Sequence, residues 1–157
     1  MNIVLYHPDI ALNVGAIIRL CACFDAKLHI IEPCGFPFDK KKIKQSALDY
    51  IDKITIERHN SWPSFIKYYQ YNNSNLNYSK LILLSTKAQQ SYYDTTYNHN
   101  DYLIFGSESG GVSQEVWQDI NLACKIPMNS QCRSLNLATS VAIVMGEFLR
   151  QTAPKTC

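Results

Sequence analysis

The chain has 157 residues, room for one domain at roughly 100–200 residues each. Its composition of 46% hydrophobic, 18% charged and 11% aromatic residues, with six glycines and six prolines, excludes a disordered, collagen-like or coiled-coil chain. Fifteen Lys plus Arg against thirteen Asp plus Glu leave +2, too balanced to announce a nucleic-acid or membrane partner by bulk charge.

In chain order, Ile3-Val4-Leu5-Tyr6 is a short apolar run before a proline and predicts a buried first strand. It stops at His7-Pro8-Asp9, too early for a leader peptide. Asn13 is placed to cap a helix whose apolar face is Val14, Ile17, Ile18 and Cys21. Lys27–Ile31 is the second strand, closed by a loop from Pro33 to Pro37. A short helix is expected within Lys42–Tyr50, then a weaker strand at Ile54–Ile56. Ser61 caps a helix through Phe65, Ile66 and Tyr69, and the Asn-rich stretch Tyr71–Ser79 is expected as a loop.

Leu81–Leu84 and Tyr102–Phe105 are apolar throughout, as strands covered on both faces must be. A short helix is expected around Gln114–Ile120 and a last strand at Ala123–Ile126. The final helix runs from Asn136 to Arg150, with Leu137, Val141, Val144, Met145 and Phe148 on one stripe. Strands alternating with helices predict an α/β fold, a mainly parallel sheet flanked by helices, in a single domain over residues 1–157.

No apolar run reaches the ~20 residues of a membrane-spanning helix, so a cytoplasmic protein without a membrane partner is expected. The six cysteines include no Cys-x-x-Cys pair, and Cys21 and Cys23 point to different faces of their helix. Cys34, Cys124, Cys132 and Cys157 are isolated, and the four histidines have no ligand-like neighbours in sequence, so no metal is expected.

Three segments carry residues that a bland fold does not need. Arg19 follows the apolar pair Ile17-Ile18 and sits at the edge of the buried stripe. It is either a solvated helix arginine or a guanidinium that holds a phosphate. Phe105-Gly106-Ser107-Glu108-Ser109-Gly110-Gly111 follows a strand, so backbone N–H groups there can meet a ligand. It is neither a Walker loop nor a dinucleotide fingerprint, and the embedded Glu108 calls for a cationic partner. In the third, Ile126-Pro127-Met128 leads to Ser134 and Asn136, either of which can cap the last helix or, with the strand end, bind a small polar ligand.

Together these segments resemble the SPOUT-class RNA ribose methyltransferases, in particular the small single-domain YibK/TrmL-type tRNA (cytidine/uridine) 2′-O-methyltransferases. The resemblance rests on Asn13…Gly15…Ile18-Arg19-Leu20, Leu28–Pro33, Leu48-Asp49-Tyr50, Ser85-Thr86-Lys87, Asp101–Gly106 with Glu108, and Ile126-Pro127-Met128 with Arg133-Ser134-Leu135-Asn136-Leu137. It implies a C-terminal trefoil knot, S-adenosylmethionine (SAM) as cofactor, a homodimer, and the wobble nucleotide in the anticodon region of tRNA as target. The cofactor would lie against Leu84, Gly106, Ile126 and Ser134, largely through backbone groups. Arg19 maps to the catalytic arginine, Glu108 to the motif-two glutamate and Asn136 to the motif-three asparagine, with Glu108 expected to orient Arg19.

The chain departs from the family pattern in two places. Ser107-Glu108-Ser109-Gly110-Gly111 stands where Pro-Glu-Thr-Arg-Gly is usual, so an arginine able to contact RNA is absent at Gly110. Gly146 stands where many members carry an aromatic, and close packing is expected to offset the cost of a helix-interior glycine, about 1 kcal/mol. Lys40, Lys41, Lys42 and Lys44 form a candidate RNA patch or a solvated face. Another tRNA or rRNA position, or a module that binds SAM or RNA without catalysis, remains an alternative.

Overall fold

A computed structural model describes residues 1–74 and 79–153. Its seven strands are β1 (Asn2–Tyr6), β2 (Lys27–Ile31), β3 (Ile56–His59), β4 (Leu81–Leu84), β5 (Gln90–Ser91), β6 (Tyr102–Phe105) and β7 (Leu122–Lys125). They form one sheet in the order β3-β2-β1-β6-β4-β7-β5, and every pairing is parallel. The helices are α1 (Ala11–Cys23), α2 (Lys40–Ala47), α3 (Trp62–Asn73), α4 (Gln114–Asp119) and α5 (Leu137–Thr152).

Alternation along the strands divides the core in two. Ile3, Leu5, Leu28, Ile30, Leu103 and Phe105 face α1 and α5, meeting Val14, Ile17, Val141, Val144 and Phe148. Val4, Tyr6, Leu83 and Ile104 face the other way, toward Trp62 and Phe65 of α3 and Val116 of α4. The fold is a three-layer α/β/α sandwich, as the alternating pattern predicts, and the stripe expected on α5 is its buried face.

Several boundaries differ from the sequence expectation. Asn13 lies inside α1 rather than capping it; the N-cap is Ile10, which makes no side-chain cap bond. The third strand is Ile56–His59, not Ile54–Ile56, because pairing with Leu28–Ile31 of β2 sets its extent. Arg58 in this edge strand pairs with Glu32 and lies 4.5 Å over the Phe38 ring. β7 begins at Leu122, one residue early, and the two-residue β5 exists only through its pairing with β7. Ser61 does cap α3, accepting from Ser64 N at 3.3 Å. That helix runs on to Asn73, into the expected loop, of which residues 75–78 lie outside the described set, as does Cys157. Gly146 shows no close packing: a Cβ there would meet nothing within 4 Å.

One polar pair sits in the second layer. His29 Nδ1 lies 3.2 Å from His59 Nε2, among the rings of Phe65, Tyr68 and Tyr102. His29 is fully buried, and its Nε2 has no hydrogen-bond partner among the described residues. Burial, aided by the charge of a protonated His59 and by Lys27, depresses its pKa to about 3. The unfolded chain binds that proton below about pH 6.5, where the folded chain still refuses it. The stability held by the neutral ring is therefore complete above that range and is lost progressively as pH falls. Urea unfolding should give a chain about 2 kcal/mol less stable at pH 5 than at pH 7.5 through this group, and His29→Gln should flatten the difference.

Candidate active site

The strand order reverses at β1, whose two neighbours are β2 and β6. In open parallel sheets ligands bind outside the carboxyl ends of the strands near such a reversal. A cavity of ≈ 640 Å³ opens there, within the range of small-ligand sites. Its walls are the end of β4 with the segment after it (Leu84 to Lys87), the end of β6 with the loop after it (Phe105 to Val112), and the segment after β7 (Ile126, Met128). The start of α1 (Ile10, Asn13) and the entry to α5 (Ser134 to Leu137) complete it.

The segment after β6 is a closed loop. Ser107 N donates to Gly111 O at 2.9 Å and Gly111 N returns to Ser107 O at 3.0 Å. Gly111 has φ +69°, a conformation that favours glycine. A Cβ on Gly106 would stand 2.5 Å from the carbonyl carbon of Gly111, so the two glycines pack backbone on backbone. Gly110 is different: a Cβ there would meet only Ser107 Oγ, at 3.5 Å.

A hydrogen-bonded chain ties the three sequence segments together. Glu108 Oε1 accepts from Asn13 Nδ2 at 2.7 Å, and Oε2 accepts from Asp9 N at 2.9 Å. Asp9 Oδ2 in turn accepts from Ser109 N at 2.9 Å. Asn13 Oδ1 accepts from Asn136 Nδ2 at 2.9 Å, and Asn136 Oδ1 accepts from Thr139 N at 3.2 Å, capping α5. Asn13 both donates to a carboxylate and accepts from an amide, which an aspartate cannot do. The partners of Glu108 are neutral donors, not the cation its sequence position suggested. Of the two expected capping side chains, Asn136 caps and Ser134 lines the cavity.

Leu84, Gly106, Glu108, Ile126, Ser134 and Asn136 thus converge on one cavity. Arg19 does not join them. It is exposed on the outer face of α1, 5.6 Å from the Tyr50 ring centroid, beside a shallow groove floored by Ala138 and Ala142 of α5. It is therefore not oriented by Glu108 of its own chain. Asp9 and Ser85–Lys87 are wall or support residues to which the sequence assigned no role; Ser85-Thr86-Lys87 stood out as part of the family resemblance, and Asp9 only as an acid after a proline.

Lys44 makes an exposed ion pair with Asp52 at 3.9 Å, and the side chains of Lys40–Lys42 lie outside the described set. Among the described residues no group of three His, Cys, Asp or Glu is arranged to hold a metal ion, and no helix is long and apolar enough to cross a membrane.

The SpoU rRNA Methylase family matches residues 1–146. A Beijerinckia indica protein named tRNA (cytidine(34)-2′-O)-methyltransferase is 41% identical over 147 residues, 94% of this chain and 89% of its own length. The protein of the same name from Escherichia coli K12 is 37% identical over 153 residues, 96% of this chain and 93% of its own. A solved structure from work on the 2-OH methylation of C/U34 on tRNA superposes with TM-score 0.85 at 33% identity, covering 96% of this chain and 94% of that one. The fold is also that of the Streptomyces viridochromogenes methyltransferase AviRb, solved with AdoMet. There the TM-score is 0.88 at 20% identity, over 96% of this chain and 60% of that one.

Proposed function

This chain belongs to the SpoU methylase family, and from that membership we propose that it methylates the ribose 2′-oxygen of the wobble nucleotide, cytidine or uridine 34, of tRNA. The observation that carries the proposal is the convergence of three distant segments on one cavity at the sheet's carboxyl edge. The names of relatives 35–41% identical over nearly the whole chain favour tRNA over ribosomal RNA. The domain spans residues 1–157, and the segment from β7 to α5 threads a loop as a trefoil knot.

SAM is the cofactor. The cavity fits it: the volume suits a nucleoside-sized ligand, and the Gly106–Gly111 contact brings bare backbone to the wall. Leu84, Gly106, Ile126 and Ser134 would hold it. When bound, it supplies an electrophilic methyl on a sulfonium whose departure yields a neutral thioether. Glu108, Asn13 and Asn136 fix the walls in one arrangement, so a bound donor and ribose would be positioned without the walls having to order first. Arg19 anchors a phosphate of the target nucleotide and stabilises charge developing on its 2′-oxygen. A guanidinium stays protonated at any ordinary pH, which disfavours it as the base, so the 2′-hydroxyl proton is released to solvent water as the O–C bond forms and the C–S bond breaks.

The position of Arg19 outside its own chain's cavity supports a homodimer in which each copy's arginine serves the other's cavity. The face beside it suits a self-complementary contact. Phe24 is 47% exposed there, Leu20 is half-buried, and Ala142 and open Gly146 leave α5 with a low profile.

The test is to treat tRNA lacking the modification with purified protein and labelled SAM, then locate the methyl by nuclease digestion and mass spectrometry. Methyl on the ribose of nucleotide 34 is expected. Methyl elsewhere, or cofactor binding without transfer, overturns the proposal.

A further inference from the structure

Among the described residues two charged side chains line the cavity, Glu108 and Lys87. Glu108 is fully engaged, each oxygen accepting a hydrogen bond from a neutral donor. Lys87 makes no ion pair or side-chain hydrogen bond among the described residues, and its side chain is exposed at the rim. Its backbone, by contrast, is fixed. Ala88 N donates to Ser85 O at 3.1 Å, and Lys87 N donates to Ser85 Oγ at 3.2 Å, closing a tight turn. Ser85 N donates to Cys124 O at 2.9 Å, fastening that turn to β7. A turn held at three points carries an unpaired cation to the mouth of a cavity whose one carboxylate is already satisfied.

We propose that Lys87 is an oxyanion-binding residue of this site, taking either the carboxylate of the donor's amino-acid end or a backbone phosphate of the substrate tRNA. The proposal rests on the functional reading given above. Both groups present anionic oxygens, which an ammonium binds through charge-assisted hydrogen bonds. Lys87 is the one cation among the described residues of the lining, so it is the side chain there that can offset such a charge.

Lys87→Gln and Lys87→Arg proteins separate the two sources. Circular dichroism and the thermal midpoint should match the unmodified chain, because Lys87 contacts nothing that its loss would leave unpaired. If the carboxylate is the ligand, the Gln variant binds S-adenosylhomocysteine roughly tenfold more weakly, and the salt dependence of tRNA binding is unchanged. If a phosphate is the ligand, thioether binding is unchanged, tRNA binding weakens, and the slope of log Kd against log salt drops by about one. In either case Lys87→Arg restores most of the loss. Thioether affinity and tRNA salt slope both unchanged in Lys87→Gln overturn the proposal. A wild-type chain that binds the thioether yet places no methyl on nucleotide 34 overturns the functional reading instead, and the binding comparison at Lys87 still stands.

Discussion

Arg19→Ala should lower methyl transfer to tRNA by roughly 10²–10³-fold, the usual loss when one group that stabilises developing charge is removed. Affinity for S-adenosylhomocysteine, measured by calorimetry, should stay the same, because Arg19 lines no part of the donor cavity. The thermal midpoint should also hold, since the side chain is exposed and among the described residues it meets the Tyr50 ring, 5.6 Å away. Loss of donor binding together with a loosened fold would make the arginine structural. Co-expression with a second variant whose cavity is spoiled tests which chain the arginine serves. If each copy's arginine serves the other's cavity, the intact cavity of a mixed dimer belongs to the Arg19→Ala copy and faces the intact arginine of its partner. Statistical assembly should then restore about a quarter of the unmodified activity, from half the dimers with one working site each. Failure to restore any activity would place the arginine's work within its own chain.

The spoiled cavity is best made with Gly106→Ala. The added methyl would stand 2.5–2.7 Å from three backbone atoms of Gly111, and backbone cannot swing aside as a side-chain tip does. The loop must open, breaking the reciprocal Ser107–Gly111 hydrogen bonds and pulling on Glu108 between them. Overpacking of this kind costs about 1–3 kcal/mol, and here the strain falls on the cavity wall. Donor affinity is expected to fall more than roughly tenfold, with transfer lost in parallel. Gly110→Ala is the matched comparison, because its Cβ makes an ordinary 3.5 Å contact with Ser107 Oγ; it should leave the loop closed and lose far less. Equal losses from the two substitutions would mean that the loop's sequence, not the backbone contact, governs binding.

Much of this was legible in the residues, for physical reasons that also mark where legibility ended. β1, β2, β4 and β6 are central strands covered on both faces, so their apolar runs announce them. β3 and β5 lie at the sheet's two edges, where a neighbour's hydrogen bonds define the strand, and Glu57 and Arg58 carry no apolar signal. The loops after β6 and β7 stood out as a site because they spend glycine, asparagine and serine at strand ends. What they hold on to was not readable. A carboxylate between glycines suggested a cation, yet the fold answers with an asparagine and a main-chain N–H from 95 and 99 residues away. Asn13 looked like a cap because capping is the commonest use of asparagine before an apolar stripe. Arg19 was correctly placed at the edge of that stripe, but periodicity cannot say that the edge turns away from the cavity.

The bond from Asn136 to Asn13 bridges 123 positions, and it has a temporal corollary. On a translating ribosome the strand ends and the start of α1 emerge first, whereas Ser134 to Leu137 follow only after the whole sheet has been synthesised. A nascent chain therefore lacks the last wall of the cavity until that late segment docks, and the site is completed only once the sheet has been made.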